Sequence, residues 1–329
     1  MKAININEFG GPDVCSPGDV AVPRCGPGEA LVKVAYAGVN FMDVYMRNGT
    51  YARSHTYKTP LPMIIGMEAA GLVETVGDGV TDVRPGQRVA FCLSRGAYAD
   101  FVAVPAWKLV PLPDSVPFDI AAALMLQGCT AHYLSHSAFP LKAGQSCLVH
   151  AGAGGVGQLL VQLAKNAGAT VFSTVSTPEK AKLAMRRGAD HCILYREQDF
   201  QEEIMRLTSG KGVDVVYDSV GRDTIMKSIR SVRRRGLCIL FGASSGVVEA
   251  IEPLALAEAG SVFFTRPHLA DYMSSSSEIR QRTDDLFRLF SSGKIDVVID
   301  KTFPLAEASE AHRYLEAGQT HGKLLLRVS

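Results

Sequence analysis

Two spacings of apolar residues alternate through the middle of the chain. Cys147 to Ala151 (CLVHA) is short and almost wholly apolar, as in a strand buried on both faces. Val156, Leu159, Leu160, Leu163, Ala164 and Ala167 then recur at i, i+3, i+4 and i+7, which is one face of a helix. Gly168 ends that helix. The cycle repeats with a strand over Thr170 to Val175, an N-cap at Thr177 before Pro178, and a closing Gly188. Further β-branched runs follow at His191 to Leu194, Val213 to Tyr217, Leu237 to Phe241 and Ser261 to Thr265. Six strands joined by helical crossovers predict a doubly wound parallel sheet.

The flanks look different. Up to about residue 124, short β-like runs such as EALVKVAYAGVN and GLVETVG are punctuated by turn signals, among them Gly26-Pro27-Gly28 and Arg84-Pro85-Gly86. That texture predicts a β-rich, barrel-like domain. Two helices and a last strand, Lys323 to Val328, close the chain. The expected class is therefore α/β with a second, β-rich domain, and 329 residues suit two domains.

Composition narrows the function. With 47% hydrophobic residues, 20% charged residues and a net charge of +1, the chain reads as an ordinary globular protein. It carries no basic excess, so no nucleic-acid partner is expected. No run of about 18 apolar residues suggests a membrane span. MKAININEFGG reads as a strand rather than a signal peptide, which predicts a cytoplasmic protein. The seven cysteines are scattered and form no C-x-x-C pair, so free thiols in a reducing compartment are expected. Arg233-Arg234-Arg235 reads as a solvated helix end, and His150 as a packing residue.

Gly152-Ala153-Gly154-Gly155-Val156-Gly157 matches G-x-G-x-x-G between the first strand and first helix of the alternating region. In a chain with 31 glycines the hexapeptide alone means little, but strand before and helix after is the context that binds a dinucleotide. Gly152 makes the tight turn, Gly154 admits the pyrophosphate, and Gly157 lets helix and sheet close up. About 20 residues on, the second strand ends Thr174-Val175-Ser176-Thr177 with no acid to hold a ribose 2′-hydroxyl. Ser176, Thr177 and Lys180 there suit a 2′-phosphate, so NADP(H) is the expected cofactor.

The segments AGVNFMDVYMRNG, PLPMIIGMEAAGLVETVGDGV, LVHAGAGGVGQLLVQLAK, GVDVVYDSVG and HGKLLL, in this order, are more specific still. The chain resembles, from end to end, the quinone oxidoreductase (ζ-crystallin-like) branch of the zinc-independent medium-chain dehydrogenase/reductase superfamily. The resemblance implies a GroES-like catalytic domain over 1–124 and 266–329, a Rossmann NADP(H)-binding domain over 125–265, and a homodimer. Zinc-dependent relatives carry a Cys after the Gly-Val step and a Gly-His-Glu segment. Here those read Gly38-Val39-Asn40 and Gly66-Met67-Glu68, so no metal is expected.

By the same resemblance, Asn40, Asp43, Thr130, Gly155, Val156, Ser176, Lys180, Tyr195, Phe241, Ala243, Ser244, Thr265, Arg266 and Lys323 contact the cofactor. Asn40 and Tyr45, then Tyr51 and Gln127, are the candidates for polarising the acceptor. The expected reaction is hydride transfer from NADPH to a small-molecule quinone. Reduction of an α,β-unsaturated carbonyl (enone, alkenal or enoyl thioester) is the alternative, and a crystallin-like or RNA-binding protein the non-enzymatic one.

Overall fold

Alternation of Val and Ala in Glu29–Val39 produces the longest strand of the protein, buried along most of its length. The computed structural model describes residues 1–328. In chain order, the first part holds β1 (Lys2–Ile6), β2 (Ser16–Asp19), β3 (Glu29–Val39), α1 (Phe41–Arg47), β4 (Met63–Ile64), β5 (Glu68–Val76), β6 (Arg88–Cys92), β7 (Phe101–Pro105), β8 (Val110–Pro111) and α2 (Phe118–Tyr133). The middle holds β9 (Ser146–Val149), α3 (Gly155–Asn166), β10 (Thr170–Val175), α4 (Pro178–Arg186), β11 (His191–Leu194), α5 (Phe200–Leu207), β12 (Val213–Asp218), α6 (Ile225–Arg230), β13 (Val232–Leu240), α7 (Pro253–Glu258) and β14 (Phe263–Thr265). The last part holds α8 (Ser276–Ser291), β15 (Ile299–Pro304), α9 (Ala308–Glu316) and β16 (Lys323–Arg327).

Two compact units emerge. Unit 1 comprises 1–129, 273–293 and 297–329, and unit 2 comprises 130–272 and 294–296. In unit 1 a seven-stranded sheet runs β15-β16-β3-β5-β6-β8 with β7 also on β3, beside a small sheet β2-β1-β4. Strand β16 lies antiparallel to β3, pairing Leu324 with Val39 and Leu325 with Gly38. That pairing brings Lys323, at the start of β16, beside the segment that follows β3.

Unit 2 is the doubly wound sheet, six strands in the order β11-β10-β9-β12-β13-β14. Every pairing in it is parallel. Helix α3 is buried on all sides from Gly157 to Ala164, and Gly168 and Gly188 stop the first two helices with φ of 80° and 108°. A core that includes Leu148, Phe172, Ile204, Val216, Ile229 and Leu240 fills one side of the sheet.

The triple arginine departs from expectation. α6 stops at Arg230, and Arg233, Arg234 and Arg235 form the first half of β13. Arg233 pairs with Asp214 at 2.6 Å, and Arg235 turns left-handed (φ 57°) where the register with β12 shifts. Three cations raise no obstacle to a strand whose first half is partly exposed, because sheet pairing is a backbone matter there.

Candidate active site

In unit 1 the residues after β3 build a buried polar centre. Asn40 caps α1 in a capping box, its backbone N–H donating to Asp43 Oδ2 at 2.9 Å. Its side-chain amide donates to Glu68 Oε2 at 2.8 Å and accepts from Lys323 Nζ at 2.7 Å. Lys323 also reaches Glu68 Oε2 at 2.5 Å, and Glu68 Oε1 accepts the Leu126 N–H of α2 at 2.5 Å. Asn40, Glu68 and Lys323 are 4%, 0% and 1% exposed, so this is a dry ion pair bridged by an amide. Gly38 makes room for it, since a Cβ there would lie 2.0 Å from Glu68 Oε2.

A second chain of contacts enters from α9. Arg47 donates to Glu316 through both terminal nitrogens, at 2.7 and 3.1 Å, and to His312 Nδ1 at 3.0 Å. Arginine has no acceptor, so Nδ1 accepts and the neutral ring keeps its proton on Nε2. That proton points at Tyr98 Oη, 3.3 Å away, and the phenol hydrogen then goes to Asp43 Oδ2 at 3.2 Å. Burial, with help from the Arg47 guanidinium, pushes His312 down to about 3. Burial pushes Asp43 up to about 7, against the opposing pull of the Asn40 N–H and Lys323. Burial and the Asp43 charge hold the Tyr98 phenol well above its usual range. Asp43 Oδ1 is buried with no hydrogen-bond partner.

The aromatic candidates lie on the same segment. Tyr45 meets Tyr51 edge-on at 5.5 Å, and Tyr51 stacks on Tyr57 at 5.3 Å. Gln127 is half-buried on α2, next to the Leu126 amide that serves Glu68. Asn40 and Asp43 thus come together with Lys323, Tyr45 and Tyr51 form a separate aromatic contact on the segment that follows, and Asn40 and Lys323 spend their polar atoms on one another and on Glu68. Glu68, Tyr98, His312 and Arg47 complete the polar centre, and Tyr57 the aromatic contact. Only the Asn40-x-x-Asp43 box was readable from sequence spacing.

In unit 2 the parallel sheet lines up most of the expected cofactor residues along one rim, at the carboxyl ends of the strands. The glycine turn follows β9, Ser176 and Thr177 follow β10, Tyr195 follows β11, Phe241, Ala243 and Ser244 follow β13, and Thr265 ends β14 with Arg266 just after it. Thr130 stands apart from this rim, on α2 and buried. Three glycines play different parts. A Cβ on Gly152 would fall 1.9 Å from Ser173 Oγ, and one on Gly157 2.2 Å from the Ala151 carbonyl, whereas Gly154 has only that carbonyl near, at 3.2 Å. The fold itself needs Gly152 and Gly157, whereas a Cβ on Gly154 asks the Ala151 carbonyl to give by only a few tenths of an ångström.

Gly154 caps α3 without a side chain, so no side chain caps the first-turn N–H groups of that helix, where Gly155 and Val156 lie, and a helix N-terminus of this kind suits an anion. Thr177 is a true N-cap, accepting from the Lys180 N–H at 3.3 Å. Val175, Ser176 and Thr177 offer no carboxylate, so the rim fits NADP(H). Behind the turn, His150 donates toward Ser228 Oγ (2.9 Å), and Ser228 donates to Asp218 Oδ2 (2.7 Å). Thr174 Oγ1 lies 2.8 Å from His150 Nδ1. Ser, His and Asp meet here, yet Ser228 is fully buried and gives its proton to Asp218, so the trio is a brace and not a nucleophile.

Fold and site define a two-unit, dinucleotide-binding dehydrogenase/reductase. Two family models match, "Alcohol dehydrogenase GroES-like domain" over residues 26–114 and "Zinc-binding dehydrogenase" over 187–326. A 2-haloacrylate reductase from Burkholderia sp. is 44% identical over 99% of this chain and 98% of its own. A quinone oxidoreductase from Pseudomonas aeruginosa is 40% identical over 99% of both chains. The crystal structure of Escherichia coli quinone oxidoreductase complexed with NADPH superposes at a TM-score of 0.96, with 38% identity over 100% of both chains. The chain belongs to the quinone oxidoreductase branch of the medium-chain dehydrogenase/reductase superfamily.

One family model is named for zinc, and the unit 1 centre does not suit that ion. Both Glu68 oxygens are occupied, an ammonium already stands against the carboxylate, and the Asn40 amide stands where a thiolate is needed and the Met67 thioether where an imidazole is needed.

Proposed function

We propose that the protein is an NADPH:quinone oxidoreductase that works without a metal. Supporting this are its full-length likeness to proteins named quinone oxidoreductase, and a glycine turn whose strand β10 ends without an acid. Bound at the turn, NADPH supplies a hydride, which with one proton from solvent takes a quinone to the hydroquinone. The chain's own residues bind and orient. The α3 N-terminus holds the pyrophosphate, and Ser176 and Lys180 the 2′-phosphate. Tyr45 and Tyr51 offer ring surface to a planar acceptor, and the Lys323–Asn40 pair places positive charge where the acceptor gains negative charge.

The 44% identity to a 2-haloacrylate reductase favours a second reading, reduction of an activated carbon–carbon double bond by the same hydride. NADPH and NADH oxidation with 1,4-benzoquinone, 9,10-phenanthrenequinone and an alkenal, each with and without a chelator, separates the two. NADPH-selective, chelator-insensitive quinone turnover supports the main reading. Turnover of the alkenal alone moves the function to ene reduction.

The division into a catalytic domain (1–124 and 266–329) and an NADP(H) domain (125–265) belongs to the same proposal. So does a homodimer. Strand β14 ends the unit 2 sheet, and Phe263 on it and Leu254 nearby are 65% and 59% exposed, an open edge that a second copy covers. A cytoplasmic setting agrees with seven free cysteines, and no helix among the described residues is long and apolar enough to cross a membrane.

A further inference from the structure

The polar centre of unit 1 contains one group for which the reaction has no evident use. Asp43 sits on α1, fully buried, at the inner end of a directed chain of donors. Arg47 gives to His312, His312 to Tyr98, and Tyr98 to Asp43. The outer end is Glu316, whose side chain is 33% exposed. Every donor in the chain has its direction settled by Arg47, which can only give. At the inner end the accounts are unequal. Asp43 Oδ2 takes two donors, the Asn40 N–H and the Tyr98 hydroxyl, while Oδ1 takes none.

A buried carboxylate oxygen without a donor is a costly place for charge and a ready place for a proton, because protonating Oδ1 breaks no hydrogen bond. The groups that face Asp43 are Arg47 of its own helix, Glu68 of β5, Tyr98, Cys15, Lys323 of β16, and His312 with Glu316 of α9 behind Tyr98. Among these, Lys323 is the cation coupled both to Asp43 and to the Asn40 amide.

We infer that Asp43 is a positioning residue for hydride transfer, holding Asn40 through its backbone N–H and setting, by whether Oδ1 carries a proton, how much of the Lys323 charge is left for the acceptor. With Oδ1 protonated, Lys323 is balanced by Glu68 alone, and the centre is more positive when the acceptor takes up the hydride. With Asp43 ionised, two carboxylates share one ammonium and the transition state is less well stabilised. The inference rests on the quinone or alkene reductase reading of the site. Burial places the titration near neutrality, at about 7.

The test is kcat against pH, from 5.5 to 8.5, for the wild type, Asp43→Asn and Tyr98→Phe, with KM for NADPH alongside. The infrared band of a protonated carboxyl group is followed over the same range. Wild-type kcat falls with rising pH in a one-proton step, by about fivefold, the low end of a usual coupling between linked sites. Asp43→Asn keeps both acceptor contacts through its one carbonyl, and its kcat no longer shows the one-proton step between pH 5.5 and 8.5. Tyr98→Phe removes a donor to the ionised form, so its step moves to higher pH; it also carries the test if Asp43→Asn does not fold. The carboxyl band, present at pH 6 in the wild type, is missing in Asp43→Asn. An Asp43→Asn enzyme that keeps the wild-type step, or keeps the band, overturns the inference. A wild type that turns over neither quinone nor alkenal fails differently, taking the functional reading down with it, while the band still reports whether Asp43 holds a proton.

Discussion

Asp43 and His312 belong to one hydrogen-bonded chain and lean on stability in opposite directions. In the folded protein burial raises the Asp43 carboxyl from 3.8 to about 7 and lowers the His312 imidazole from 6.5 to about 3. At pH 5 the folded chain therefore keeps a proton on Asp43 and none on His312, and the unfolded chain does the reverse. The two states bind equal numbers of protons at this pair, so it contributes no slope between about pH 4 and 6.5. Removing one partner exposes the other. In His312→Gln only Asp43 remains, with its folded pKa raised. Its stabilisation is complete below about 4 and is lost as pH rises through about 7, at about 1.4 kcal/mol per pH unit. In Asp43→Asn only His312 remains, with its folded pKa depressed. The unfolded state binds the extra proton, so stability rises by about the same amount per pH unit up to about 6.5 and then levels off. Urea unfolding of the three proteins at pH 4.5, 5.5, 6.5 and 7.5, with constant m-values, reads the difference directly. Relative to the wild type, the two variants diverge in opposite senses. Parallel curves for all three refute the reasoning.

Four further outcomes follow from the geometry. Gly154→Ala folds with a midpoint close to wild type and loses NADPH affinity in a fluorescence titration. Gly157→Ala costs about 1–3 kcal/mol of stability with no cofactor present, because its Cβ meets the Ala151 carbonyl at 2.2 Å. Lys323→Met leaves Glu68 charged, buried and short of its cation, and unfolding by urea shows a loss of about 3–5 kcal/mol. Lys180→Ala weakens binding of NADPH and spares NADH, a preference that a competition titration resolves; equal losses for both cofactors remove Lys180 from the 2′-phosphate site.

The chain's local features were plain in its order of residues. Helix α3, its stop at Gly168, the Thr177 cap and the glycine turn are decided within a few positions. There the backbone answers to spacing, to the missing Cβ of glycine and to a capping hydroxyl, none of which needs a distant partner. That Asn40 and Met67 stand at the positions where zinc-dependent relatives carry a Cys and a His was equally readable, since it depends on residue identity alone. Distance in sequence marks what only the tertiary structure decided. Glu68 and Lys323 are 255 positions apart, and Arg47 and His312 are 265 apart. No periodicity announces that β16 will lie against β3, or that the His of SEAHRYLEAG will turn inward to a Tyr from another element. That Asp43 would cap α1 from full burial, one oxygen without a donor, was likewise settled by packing around it. The arginines before Gly236 looked like a helix end and became a strand. In each case burial and pairing across the sheet chose between local conformations of similar energy, and burial also turned ordinary titratable side chains into groups with shifted protons.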